Sequence, residues 1–278
     1  MWLRCLTTGL ALWPATVLVT WATHNSRLLP TVILLGSFLA PGCFALWAHE
    51  RYGRRRALGL LPGCFLTGGV LGVLGASVLE HCLLSPSMTL SVGVGLIEEA
   101  VKALALVWLL RGHPRIHGQR TGLVLGAAVG FGFAAFESSG YAFSALIADR
   151  GLSLRALVET EVLRGLLAPF GHGLWTAILG GALLAARRQG RFRLTDQVVA
   201  CYAGVATLHT LWDSMNGIAG WLVRLPVAGG VLGGPEQERL RLLVCSAGLL
   251  AVALAGVAWL ASLVRSTGGA SFHGPEGT

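Results

Sequence analysis

Eight apolar stretches close to 20 residues long dominate the chain, at roughly 6–23, 29–48, 57–79, 88–110, 121–147, 166–186, 197–222 and 241–264. Wound as an α-helix, a stretch of that length crosses the ~30 Å hydrocarbon core of a bilayer. Little sequence is left between them. The pattern predicts an all-α, polytopic membrane protein with eight transmembrane helices and a single membrane domain over residues 1–265. Only 12% of the residues are charged, against about 25% in soluble domains. The strongly alternating segments of a membrane β-barrel are missing. The closing "RSTGGASFHGPEGT" is polar and glycine-rich, so residues 266–278 are expected to form a disordered tail.

The remaining charge follows topology. Arginines cluster at Arg51, Arg54, Arg55 and Arg56, at Arg111, Arg115 and Arg120, and at Arg187, Arg188, Arg191 and Arg193, which are alternate connections. With both termini also placed in the cytoplasm, 13 arginines fall inside and 7 outside. That is the bias of inward-facing loops. The net charge of +8 is thus a topology signal that also attracts anionic lipid. Nucleic acid is not an expected partner, because it needs a contiguous basic surface that short connections do not offer. Six scattered cysteines show no CxxC or metal-ligand spacing and are expected to act as small packing residues. Arg4 precedes an apolar run, yet "TWATHNS" offers no small-x-small cleavage site, so the first stretch is expected to stay as a membrane helix.

Small residues mark where helices should meet. Gly122, Gly126, Gly130 and Ala134 recur every fourth residue, as do Gly68, Gly72 and Ala76. Such stripes let backbones approach closely in lipid. Trp21, Trp47, Trp108 and Trp221 lie near the ends of stretches, where aromatic anchors collect.

Against this background a few ionisable residues stand out. Glu98, Glu99 and Lys102 fall in "GLIEEAVKALALVWLL", and Lys102 is the only lysine of the chain. Glu137 lies in "FGFAAFESSGY", His172 in "APFGHGLWT", and His209 and Asp213 in "HTLWD". Each charge inside a span costs about 2.5–3.5 kcal/mol on insertion scales, so such residues point to function. Glu99 lies 12 residues from Arg111, Glu137 17 from Arg120, His172 15 from Arg187 and His209 16 from Arg193. At the helical rise these separations are about 18–26 Å. Four helices therefore deliver polar groups to one layer, in the outer half of the membrane. The catalytic helices are expected within about 88–222.

Spacing adds detail. Lys102 is i,i+4 from Glu98 and i,i+3 from Glu99, within reach of both. Phe133, Glu137 and Tyr141 share one helix face, His172 shares one with Thr176, and His209 shares one with Asp213, which can orient the imidazole. Two carboxylates and two histidines in a dry site suit the activation of water. Alternatively His172, His209 and a carboxylate such as Glu137 can hold Zn²⁺ with an open position for water. No HExxH spacing is present. No serine or cysteine has a base within evident reach, so a covalent mechanism is not expected.

The motifs EExxK (Glu98, Glu99, Lys102), FxxxE (Phe133, Glu137), HxxxT (His172, Thr176) and HxxxD (His209, Asp213) resemble, in order and on successive helices, the signature set of the PrsW family of intramembrane proteases. Gly140–Tyr141, Arg164 and Pro169 are also similar. Ser138 departs from the asparagine of many members. The resemblance spans about residues 95–215. It implies a multi-pass endopeptidase of the bacterial cytoplasmic membrane, related to the CAAX prenyl endopeptidases. It implies a single-span membrane-protein substrate such as an anti-sigma factor, cut in stress signalling. It also implies that Glu98 activates water, that His172 assists, and that His209 with Asp213 stabilises or orients the tetrahedral intermediate.

Three other readings share some features. A true CAAX endopeptidase carries EExxxR, FxxxH and HxxxN, which Lys102, Glu137 and Asp213 do not match. A proton-coupled transporter also uses buried Glu, Lys and His, but residues 1–120 and 121–278 show no repeat. An inactive membrane scaffold would have no need to keep every ionisable residue of the set. The connection at 148–165 is the longest polar stretch between spans, and an interfacial helix over the site is expected there.

Overall fold

The longest buried helix organises the bundle. The computed structural model describes residues 1–53, 58–85, 90–148, 151–224 and 234–269, the last four by backbone alone. It contains α1 (Trp2–Thr23), α2 (Leu29–Tyr52), α3 (Leu61–Leu83, with a π-helical segment at Thr67–Gly72), α4 (Leu90–Leu110) and α5 (Gln119–Ile147). It continues through α6 (Leu154–Leu167), α7 (His172–Ala186), α8 (Asp196–Arg224) and α9 (Gly234–Gly269). The described residues form no sheet, as expected of an all-α membrane protein. α9 covers the start of the expected tail by backbone, and residues 270–278 lie outside the described residues.

Among the described residues, six helical segments are long and apolar enough to cross a membrane: α1, α2, α3, α5, the run from α6 through α7, and α9. The other two expected spans are helices α4 and α8. α4 is set apart by its three charged residues, Glu98, Glu99 and Lys102, and α8 by its less apolar sequence. The run Leu154–Ala186 is broken at Ala168–Phe170, a 3₁₀ turn containing Pro169. The span expected at 166–186 therefore begins as a helix only at His172. The polar stretch before it is helical too. Ser153 caps α6 by accepting from the Ala156 N–H at 3.2 Å.

The glycine stripe of α5 meets α7. A methyl group at Gly122, Gly126 or Gly130 would overlap the carbonyl oxygen of Gly180, Thr176 or His172. Gly132, on another face of α5, meets the Phe65 carbonyl of α3 in the same manner, and Gly68 of α3 meets that of Val129. α5 is thus clamped on two sides by backbone, the arrangement that replaces hydrophobic association in lipid. α1 and α9 pack on the outside with most of their side chains exposed. Trp21, Trp47, Trp108 and Trp221 are all exposed, as membrane anchors are. Cys43, Cys64 and Cys201 are buried packing residues, whereas Cys5 and Cys82 are exposed.

Among the described residues, one arginine of the topology clusters is buried. The Arg187 guanidinium donates to the carbonyls of Leu110, His113, Ile116 and Gly190 at 2.7–3.1 Å. The Gly118 N–H also donates to the Leu184 carbonyl at 2.9 Å. The end of α4, the start of α5 and the end of α7 are closed together there.

Candidate active site

The polar centre starts on α4. Its helical register turns Glu98, Glu99 and Lys102 to one side. Lys102 Nζ donates to Glu98 Oε2 and Glu99 Oε1, each at 2.9 Å. It also lies 2.8 Å from His172 Nδ1 on α7. An ammonium has three N–H bonds, and these three contacts use them all. The Phe133 ring of α5 lies 3.9 Å from the same nitrogen, a cation–π contact in a dry site. Lys102 and Glu99 are completely buried. The three ionisable residues of α4 therefore satisfy one another, and their cost in the membrane is shared.

The two imidazoles are each held from behind. His172 Nδ1 accepts from Lys102, so its proton is on Nε2, 3.1 Å from Glu137 Oε2. His209 of α8 places Nδ1 3.1 Å from Glu99 Oε1. Its Nε2 lies 3.6 Å from Glu98 Oε2 and 3.3 Å from Asp213 Oδ2. Thr176, one turn after His172, is 3.5 Å from Glu99 Oε2. The HxxxT and HxxxD motifs thus both close on the glutamate pair of α4.

α6 completes the ring. Arg164 Nη2 donates to Glu137 Oε2, and Arg164 Nε donates to Ser138 Oγ at 2.7 Å. Its guanidinium lies 4.3 Å from the Tyr141 ring. Ser138, the departure from the resemblance, is therefore an acceptor for the arginine. A cavity of about 370 Å³ opens beside these groups, lined by Glu98, Phe133, Glu137, Tyr141, Arg164, His172 and Asp213 among others.

Three side chains converge as a ligand set. Glu98, His172 and His209 each offer one atom, all within 4.8 Å of one another. The sequence expectation placed Glu137 in this trio. In the structure Glu137 serves Arg164 and His172 Nε2, and the converging carboxylate is Glu98. The donor types fit a metal ion: the second nitrogen of each imidazole rests on a carboxylate, as in carboxylate–histidine–metal arrangements, and an ion on His172 Nδ1 would replace the Lys102 contact there. With neutral imidazoles and ionised carboxylates, Glu98, Glu99, Glu137 and Asp213 would outnumber Lys102 and Arg164, the cations paired with this set among the described residues, and a divalent cation would offset the excess.

All seven residues singled out from the sequence lie in this network, brought by α4, α5, α7 and α8. Two of its neighbours were not among them. Arg164 lies in the polar connection that turns out to be α6, and nothing local marks its contact with Glu137. Glu80 also lines the cavity. It falls one residue past the expected end of the stretch 57–79, so it did not count as a charge inside a span.

A family model described as PrsW family intramembrane metalloprotease matches residues 56–232, more than half of the chain. No curated protein and no solved structure matches it.

Proposed function

The chain belongs to the PrsW family of intramembrane metalloproteases, and from that premise we propose that it hydrolyses a peptide bond of a single-span membrane protein in the cavity beside Glu98, His172 and His209. The observation that carries this is the convergence of those three ligand atoms within 4.8 Å. A glutamate and two histidines suit Zn²⁺ with a position left for water. Bound there, the ion supplies Lewis acidity and lowers the pKa of its water. The chain's own groups do the rest. Glu99 and Glu137 orient the imidazoles through His209 Nδ1 and His172 Nε2. Lys102 offsets the charge of Glu98 and Glu99. Asp213, half-exposed at the cavity and paired with His209, takes the proton of the attacking water and returns it to the leaving amine. Arg164 stabilises the oxyanion that develops at the scissile carbonyl.

A second reading is favoured by Lys102 Nζ, which lies on both Glu98 Oε2 and His172 Nδ1. There Glu98 is itself the base that activates water, His172 assists it, and His209 with Asp213 orients the tetrahedral intermediate. In both readings the motif resemblance supports an anti-sigma factor as substrate. The resemblance also supports a bacterial cytoplasmic membrane, and the arginine distribution with the depth of the polar layer supports cytoplasmic termini and a cut near the outer surface.

The test is co-expression of tagged single-span anti-sigma factors with wild type, Glu98→Gln and His172→Ala, with membrane insertion checked for each. We expect cleavage by wild type alone, with the scissile bond mapping near the outer surface. One equivalent of zinc in purified wild type, lost in His172→Ala, supports the metal-held water; active enzyme without metal supports Glu98 as base. Cleavage that survives both substitutions would exclude this centre.

A further inference from the structure

The cavity holds one carboxylate that neither reading uses. Glu80, near the end of α3, lines it together with Glu98, Glu137 and Asp213. Glu80 Oε1 is buried and has no hydrogen-bond partner among the described residues. An orphaned buried acceptor is costly, and more so where the dielectric is low. The other buried carboxylates avoid that cost. Glu98 and Glu99 share Lys102, and Glu137 has Arg164. Glu161 of α6, with no cation beside it among the described residues, accepts from Trp13 Nε1–H at 2.8 Å and Ser37 Oγ–H at 3.3 Å. Glu80 differs from all of these, and it does so on the wall of the reaction cavity.

A substrate supplies the missing donor. A helix must unwind to expose a peptide bond to water, and its N–H groups then lose their intrahelical carbonyls. Within a membrane such groups cannot be left bare. We propose that Glu80 is a substrate-positioning residue, whose carboxylate accepts a hydrogen bond from an N–H group of the unwound segment beside the scissile bond. This rests on the hydrolytic reading of the neighbouring centre. The N–H belongs either to the main chain or to a basic side chain at that position, and the same acceptor serves both.

The experiment uses the full chain reconstituted in bilayers, with metal content and melting temperature measured. Two substrates differ only in carrying Leu or Lys beside the mapped scissile bond. The enzymes are wild type, Glu80→Gln and Glu80→Leu. Wild-type cleavage and its loss in Glu98→Gln are established first; failure at that step would overturn the centre itself, and the proposal with it. With the centre established, Glu80→Leu is expected to raise KM about tenfold, with kcat changing less than about threefold and metal content unchanged. Glu80→Gln, which keeps an acceptor oxygen, restores KM for both substrates when the donor is the main chain. A Glu80→Gln defect confined to the Lys substrate assigns the donor to the basic side chain. An unchanged KM in metal-replete Glu80→Leu overturns the proposal. So does a loss of metal or thermal stability in both variants, which would make Glu80 a structural group.

Discussion

The two halves of α5 are built to opposite ends. In the first half Gly122, Gly126 and Gly130 press against carbonyls of α7 with no room for a methyl group. In the second half Phe133, Glu137 and Tyr141 turn to a cavity of about 370 Å³. Contact is maximal in one half and withheld in the other. Lipid offers helices no hydrophobic reason to associate, so backbone packing in the closed half must offset the cost of gathering charge in the open half. The same α7 serves both: its small residues seal the seam, and His172 at its start enters the centre.

Substitutions can break this contrast from either side. The largest expected effect is Lys102→Met in the open half. It leaves Glu98 and Glu99 buried without their shared cation, and should cost about 3–5 kcal/mol, read as a fall in unfolding temperature in detergent. A variant as stable as its parent would show that the carboxylates do not depend on that charge.

Gly126→Val probes the closed half. The added methyl overlaps the Thr176 carbonyl, and we expect a loss of about 3 kcal/mol. Gly140→Val on the same helix, where a Cβ meets nothing, is the control. Equal melting of the two would mean that the seam carries no stability.

Glu137→Gln tests whether the open half tunes its imidazoles. Its carboxylate faces His172 Nε2 at 3.1 Å, and removing such a partner lowers metal affinity about 10–100-fold. Competition with a zinc chelator measures this, and unchanged affinity would detach Glu137 from the metal set. The smallest effect is Phe133→Leu, which takes the ring from Lys102. It should cost about 1 kcal/mol, visible as a small drop in melting temperature.

Much of this was legible in the sequence, for a reason that lies in the solvent. A charge in an apolar run has no cheap alternative to being useful, so Glu98, Glu99, Lys102, Glu137, His172, His209 and Asp213 identify themselves. The glycine stripes are legible for the same reason, since lipid selects for close approach. Pairing across helices is not. Which carboxylate each imidazole faces depends on helix rotation, and Glu98 rather than Glu137 lies near both histidines, at His172 Nδ1 and His209 Nε2. α6 was expected only as an interfacial element, because the connection at 148–165 is polar, and Arg164 stands out only through the resemblance. The partners of Glu161 and Arg164, Trp13 and Ser37 for one and Glu137 and Ser138 for the other, come from distant stretches. Arg187 was hidden differently: in its cluster of loop arginines, nothing in the sequence marks that it turns inward.

That inward turn has a mechanical consequence. Arg187 ties the ends of the helices that carry the EExxK, FxxxE and HxxxT motifs, so these rods can separate only by tilting about that end. Displacement in such a hinge grows with distance from the pivot. It is smallest at the arginine and largest at the far end, where α5 ends and α6 sits. A guest helix wedged between them would meet stiff walls at one surface of the membrane and yielding ones at the other.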